Sequence, residues 1–243
     1  MEAVMGTTRT TLVVGGTSGI GFAAARRLAA AGSTVHVAGR DPARAAAAAA
    51  AAPELVPHAL DGNDAAACAD LAAALDPIDA LVVTLGGSEG VGALADLDPA
   101  ALRRAFDAKF WPTLTVLKAA LPHLGERASI TLVGAISAHA AMPGTAGIGA
   151  LNAAVEALVR PLAVELAPRR VNAVSPVLVD TPWWDALPDE ARAGYFAAAQ
   201  AALPARHVSS ADEVAEAVAL VATNTSMTGT VLQIDGGARL VQL

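Results

Sequence analysis

The sequence predicts a single α/β domain, a doubly wound parallel β-sheet with helices on both faces. Three observations carry this. Short apolar runs rich in β-branched residues recur along the 243 residues. They are nearly continuous rather than alternating, as strands buried on both faces are. Helix-length segments rich in Ala, Leu and Arg separate them, so strand and helix alternate as in βαβ units.

Taken in order, the expected strands are residues 11–14, 34–38, 81–84, 130–133, 171–175 and 230–234. The expected helices are 21–31, 43–52, 65–75, 99–121, 151–166 and 211–223. Pro99 and Pro188 suit first-turn positions, and Ser210 and Asp212 suit a helix start. The alanine run 45–52 follows Asp41-Pro42, a good start signal, and reads as helix rather than as a disordered tract. No composition shift marks a boundary and no repeat is visible, so one domain spans 1–243.

Composition narrows the function. Sixteen Lys+Arg against 23 Asp+Glu give a net charge of −7, which argues against a nucleic-acid binder. With 54% hydrophobic and 16% charged residues the chain is not disordered. Cys68 is the one cysteine, so no internal disulfide or zinc cluster is expected, and a reducing cytoplasm fits. The start, Met-Glu-Ala-Val-Met-Gly, has no basic or apolar segment of a signal peptide. Mean hydropathy is +0.49, and residues 128–155 carry no Asp, Glu, Lys or Arg. Gly134, Ser137, His139, Pro143, Gly144, Gly147, Gly149 and Asn152 interrupt that stretch. It reads as a buried strand, a loop and a helix start rather than as a membrane span, so no membrane partner is expected.

The segment Thr11-Leu-Val-Val-Gly15-Gly16-Thr17-Ser18-Gly19-Ile20-Gly21 joins a strand to a helix. Glycines permit the tight turn and let backbone N–H groups reach a pyrophosphate, whose charge the helix N-terminus favours. The next strand ends in Gly39-Arg40, with no carboxylate to hold a ribose diol. Arg40 offers a planar cationic fork for a 2′-phosphate; the alternative is a solvated surface arginine near Arg44. Asp61 closes the short apolar stretch 55–60 and is placed to accept from an adenine amine.

These residues resemble the short-chain dehydrogenase/reductase family over nearly the whole length. Gly15-x-x-x-Gly19-Ile20-Gly21 is similar to its nucleotide motif, and Asp61 to its adenine-contacting aspartate. Arg169-Arg170-Val-Asn-Ala-Val-Ser-Pro176, Val179-Asp180-Thr181-Pro182 and Asp235-Gly236-Gly237 match three further signatures. The resemblance implies a Rossmann-like fold binding NADP(H) through Gly15, Thr17, Ser18, Gly19, Ile20, Gly21, Arg40, Asp61, Gly62, Gly86, Pro176, Val179 and Thr181. It also implies a homodimer or homotetramer built on the helices 99–121 and 151–166.

The family's chemistry is altered at every expected position. The resemblance puts Ile148 at its tyrosine, Asn152 at its lysine, Ala135 at its serine and Lys109 at its asparagine. The only tyrosine is Tyr195, with Ala199 four residues on, so no shifted alignment restores the pair. A hydride added to a carbonyl builds an alkoxide that needs a donor. Either the site has lost redox chemistry or it has been rebuilt. Lys109 and Lys118 are the only lysines against fourteen arginines. Nine residues apart, they face opposite sides of a regular helix. Lys109 is then a buried ammonium that binds ribose, donates a proton or stabilises an oxyanion, or else a surface lysine.

Ser137 and His139, on the loop after the 130–133 strand, are further candidate donors. Their alternatives are a turn cap and a backbone-bonded loop histidine. Asn152 either orients a water or begins its helix. No metal is expected, because His36, His58, His123 and His207 lack ligand spacing.

Four of the eight aromatic residues, Trp183, Trp184, Tyr195 and Phe196, fall in a stretch that reads as a substrate lid over about 183–204. They suit a small apolar, ring-containing substrate, or a hydrophobic seam. The expected function is an NADP(H)-dependent oxidoreductase acting on a carbonyl, imine or activated double bond with a non-standard proton source. The alternatives are a non-redox cyclase or isomerase that retains NADP(H), and a catalytically inactive cofactor-binding partner.

Overall fold

A computed structural model describes residues 8–87, 89–185 and 187–241. The N-terminal residues 1–7, where a signal peptide was not expected, lie outside the described residues. The chain runs β1 (Thr10–Val14), α1 (Gly19–Ala30), β2 (Thr34–Gly39), α2 (Pro42–Ala51), β3 (Leu55–Ala59), α3 (Ala65–Ala74), β4 (Ile78–Val83) and α4 (Pro99–Ala120). It continues through β5 (Leu124–Val133), α5 (Ala146–Ala157), α6 (Val159–Glu165), β6 (Arg170–Pro176) and β7 (Val179–Asp180). It ends with α7 (Asp189–Ala202), β8 (Ser209–Ser210), α8 (Ala211–Thr223) and β9 (Val231–Ile234).

Seven strands form one parallel sheet in the order β3-β2-β1-β4-β5-β6-β9, the doubly wound architecture the sequence predicts. The order reverses between β1 and β4. Loops leaving these two strands turn to opposite faces, which opens a crevice at their carboxyl ends. The core lies in two layers. On one face Leu12, Leu81, Ile130 and Val171 meet Val116 and Leu117 of α4 and Val155 of α5. On the other, Val13, Val35, Val82 and Val174 meet Leu28 of α1 and Val214, Val218 and Val221 of α8. Strands buried on both faces explain the unbroken apolar runs.

Local signals set the helix starts. Asp41 and Asp98 accept backbone N–H groups ahead of Pro42 and Pro99. Ser210 and Glu213 form a reciprocal capping box on α8. Three expectations need correction. β3 replaces a segment not assigned as a strand; Pro57 interrupts its signal, and an edge position tolerates the missing donor. The helix expected from residue 151 begins at Ala146, because Gly147 and Gly149 are not breakers here. A Cβ on them would lie 2.6 Å from Gly90 O and Ser137 O, so both serve close loop–helix contact. The stretch expected to be a lid contains α7, with Pro188 just ahead of its first turn rather than within it.

The segment Ala146–Glu165 is long and apolar enough by length and composition to cross a membrane. In the fold its first half, α5, packs on α4 and carries the buried polar residues Asn152 and Glu156.

Leu81 sits at 0% exposure on the central strand, whereas Leu94 is 81% exposed. Leu81→Ala should lower unfolding free energy by about 2–5 kcal/mol, and Leu94→Ala by under about 0.5 kcal/mol, in urea denaturation.

Candidate active site

A cleft of about 980 Å³ opens over the carboxyl ends of the strands. Its first wall is the β1–α1 turn. Gly15 has φ +85°, and a Cβ there would lie 2.6 Å from Thr84 Oγ1. A Cβ on Gly21 would lie 2.3 Å from Gly15 O. Only glycine lets the turn close on itself while α1 starts this near β4. Thr84 Oγ1 donates to Gly15 O at 3.0 Å and fixes the turn. The first-turn N–H groups of α1 have no partner within their own helix, and Thr17, Ser18, Gly19, Ile20 and Gly21 line the cleft there. The Ser18 side chain makes no capping bond. The surroundings suit a phosphate diester.

At the end of β2 the wall is Gly39, Arg40, Asp41 and Arg44. A Cβ on Gly39 would lie 2.6 Å from Thr17 Oγ1, so packing excludes a carboxylate at this tip. Asp41 is engaged by Ala43 N at 2.8 Å and by Arg44 at 3.8 Å. Arg40 is exposed and makes no ion pair among the described residues. Gly86, Pro176, Val179 and Thr181 complete this half of the cleft. Asp61 and Gly62, expected to contact a nucleotide base, are not in the lining. The Asp61 carboxylate accepts from Asn63 N at 3.0 Å in a local turn, and Gly62 is buried against Pro112. Leu60 lines the cleft in their place.

The other half centres on Lys109. It is 7% exposed, which excludes the surface reading, while Lys118 on the same helix is exposed. Its Nζ donates to Asn152 Oδ1 at 2.7 Å and to Gly134 O at 3.3 Å. Asn152 Nδ2 donates to Ile148 O at 3.0 Å and to Ser137 Oγ at 3.1 Å. The amide has one consistent orientation, because an ammonium can only donate and a carbonyl can only accept. Asn152 therefore lies within α5 and does not begin it. Burial pushes the Lys109 pKa down to about 8 from its ordinary 10.5, and the nearby Glu156 charge opposes that fall. Lys109, Asn152, Ser137, Ala135 and Ile148 all line the cleft. Ile148, which the resemblance puts at the family tyrosine, contributes an aliphatic patch of wall.

Sequence reasoning missed Glu156. It is 5% exposed, and its Oε1 has no hydrogen-bond partner among the described residues. A Cβ on Gly134 would lie 2.1 Å from that oxygen, so Gly134 makes room for the carboxylate. One signal was available. Glu156 follows Asn152 by four residues, on the same helical face, and ends the long uncharged stretch. His139 is outside the cleft lining, and its Nε2 lies 2.5 Å from Glu156 Oε2. It is bonded to a carboxylate rather than to backbone.

The lid aromatics form one cluster: Trp184 stands 4.4 Å from Trp183, 5.2 Å from Tyr195 and 5.6 Å from Phe196. Trp183, Trp184 and Tyr195 line the cleft, and Phe196 does not. Arg192 binds Asp180 and Asp185, and Trp184 Nε1 donates to Val179 O at 3.1 Å, so the lid is tied to the β7 strand. Among the described residues no group of three His, Cys, Asp or Glu could hold a metal ion.

Residues 14–239 match the family model described as Enoyl-(Acyl carrier protein) reductase. The chain is 34% identical over 244 residues to cis-4-hydroxycyclohexanecarboxylate dehydrogenase of Sinomonas cyclohexanicum, covering 94% of this chain and 96% of that one. A small-chain dehydrogenase solved in complex with NADPH has a TM-score of 0.86 at 33% identity, covering 96% of this chain and all of that one. An oxidoreductase of the short-chain dehydrogenase/reductase family from Burkholderia thailandensis has a TM-score of 0.86 at 32% identity, with 96% and 93% covered. Fold and cleft define an open α/β dinucleotide-type scaffold. The chain belongs to the short-chain dehydrogenase/reductase family of oxidoreductases.

The lowered Lys109 pKa has a thermodynamic consequence. Between about pH 8 and 10.5 the unfolded chain holds a proton on this lysine that the folded chain has released. Stability therefore rises with pH across that window and is flat below it. The wild-type stability relative to Lys109→Met should climb by roughly 3 kcal/mol from pH 8 to 10.5, read from urea midpoints.

Proposed function

We propose that the chain is an NADP(H)-dependent oxidoreductase that reduces a carbonyl, an imine or an activated double bond on an apolar, ring-containing substrate. Its proton source departs from the family's tyrosine–lysine pair. The observation that carries this reading is the buried chain Lys109–Asn152–Ser137 along the cleft wall. A scaffold that had merely lost its chemistry has no need to bury an ammonium and satisfy it with oriented acceptors, because an uncompensated buried charge is strongly destabilising.

The residues present fit the cofactor. The glycine turn and the open start of α1 suit the pyrophosphate, and Arg40 with Arg44 suits a 2′-phosphate. NADP(H) supplies the hydride when bound. The chain's own residues then manage charge on the substrate heteroatom. Ser137 Oγ accepts from Asn152, so its O–H remains to donate into the cleft. Lys109 polarises that chain from behind and keeps a third N–H beyond its two bonded ones. Hydride addition breaks the π bond and forms C–H, and the resulting oxyanion or amide takes one proton from this array. Trp183, Trp184 and Tyr195 supply flat apolar surface for a ring.

NADPH oxidation against a panel of cyclic ketones, imines and conjugated enones tests the reading. Turnover with at least one class is expected, with kcat falling about 10²-fold in Ser137→Ala. Arg40→Ala should weaken NADPH more than tenfold while leaving NADH nearly unchanged. Product formed without any change in NADPH absorbance would overturn the redox assignment, and equal losses for both nucleotides would overturn the role of Arg40.

A further inference from the structure

Lys109 Nζ and the Glu156 carboxylate both lie beside Gly134, and His139 is bonded to that carboxylate. Glu156 is the sole titratable residue of α5, and it is buried. On α4 the remaining titratable groups, Arg103, Arg104, Asp107 and Lys118, are all exposed, as are Glu126 and Arg127 on β5. The turn after β5 contributes His139 alone. The charged groups meeting at this point are therefore Lys109, Glu156 and His139. Glu156 Oε2 is bonded to His139, and Oε1 is buried without a partner among the described residues. An unpartnered carboxylate oxygen in the interior is costly unless a cation or a water completes it. Lys109 is a buried cation within reach of the Glu156 charge and has a donor to spare, while the side chain of His139 is 34% exposed and reaches solvent.

We infer that Glu156 and His139 are positioning residues for Lys109, balancing its buried charge and linking it to solvent outside the cleft. The inference rests on the proposed proton-donating role of the Lys109 array. One proton leaves that array for the reduced substrate in each cycle. One returns from solvent through the His139 imidazole and the Glu156 carboxylate, with a water completing the gap at Oε1. The imidazole and the carboxylate each end the cycle in their starting states. Redox change is confined to the nicotinamide and the substrate.

The chain has only two lysines, which makes a test independent of turnover possible. The full-length protein is labelled with ¹³Cε,¹⁵Nζ-lysine and titrated by NMR, the two signals being assigned with Lys118→Arg. In Glu156→Gln the Lys109 midpoint should fall by about 1 pH unit or more from about 8, with Lys118 unmoved. Glu156→Asp, which keeps the charge, should recover at least half of that fall, and it also serves if Glu156→Gln does not fold. His139→Gln keeps a hydrogen-bond donor but cannot carry a proton. It should leave the midpoint in place and lower kcat severalfold at unchanged KM for NADPH, with recovery in imidazole buffer. A Lys109 midpoint that stays within about 0.3 unit in both Glu156 variants overturns the charge-balancing role. A kcat untouched by His139→Gln overturns the solvent link. Failure of the oxidoreductase reading itself has a different signature: no substrate consumes NADPH in the wild type, while the NMR titration still reports the Lys109–Glu156 coupling.

Discussion

A buried ammonium must have acceptors, and the 2.7 Å bond from Lys109 Nζ to Asn152 Oδ1 is the contact around which this cleft is arranged. It joins α4 to α5 beneath the site and leaves the amide of Asn152 only one orientation. That orientation sends Nδ2 to Ser137 and so decides which hydroxyl is left to face a ligand. The same ammonium explains why a carboxylate lies buried on α5, and why residue 134 has no side chain to collide with it. In the family to which the resemblance points, asparagine and lysine occupy these two positions in the opposite order. Here a hydrogen bond joins Lys109 and Asn152, so the exchange that the resemblance implies would be one change rather than two.

The remainder of the fold delivers the pieces to this point. The strand order reverses between β1 and β4, which puts the glycine turn on one side of the crevice and the α4–α5 pair on the other. Ile148, one helical turn before Asn152, presents an aliphatic group where a phenol would stand. In the proposed function, proton handling falls to the serine–asparagine–lysine array beside this apolar wall. The 183–204 stretch presents aromatic surface to the cleft through Trp183, Trp184 and Tyr195, while Arg192 is held by Asp180 and Asp185.

Much of this was legible in the sequence for identifiable reasons. Continuous apolar runs betray strands buried on both faces, and the Gly15–Gly21 spacing betrays a strand-to-helix turn. The nine-residue spacing of the two lysines correctly separates an inward from an outward one. The failures share a cause: each depends on what lies across space. Pro57 reads as a breaker until β3 is known to be an edge strand. Gly147 and Gly149 read as breakers until the loops against them are seen. His139 and Glu156 are 17 residues apart, and no local pattern links an exposed imidazole to a buried acid over that distance.

The exchanged lysine–asparagine pair is tested most directly by exchanging it back. Unfolding free energies of Lys109→Asn, Asn152→Lys and the double substitution form a closed cycle with the wild type. The first change removes the cation and leaves two amides facing each other. The second sets two ammonium groups together in the interior. If the pair acts as one hydrogen-bonded unit, the double substitution should be more stable than the sum of the single losses predicts, by about 1.5 kcal/mol or more. Losses that add to within about 0.5 kcal/mol would mean the two residues act independently, and the arrangement built upon their contact would not stand.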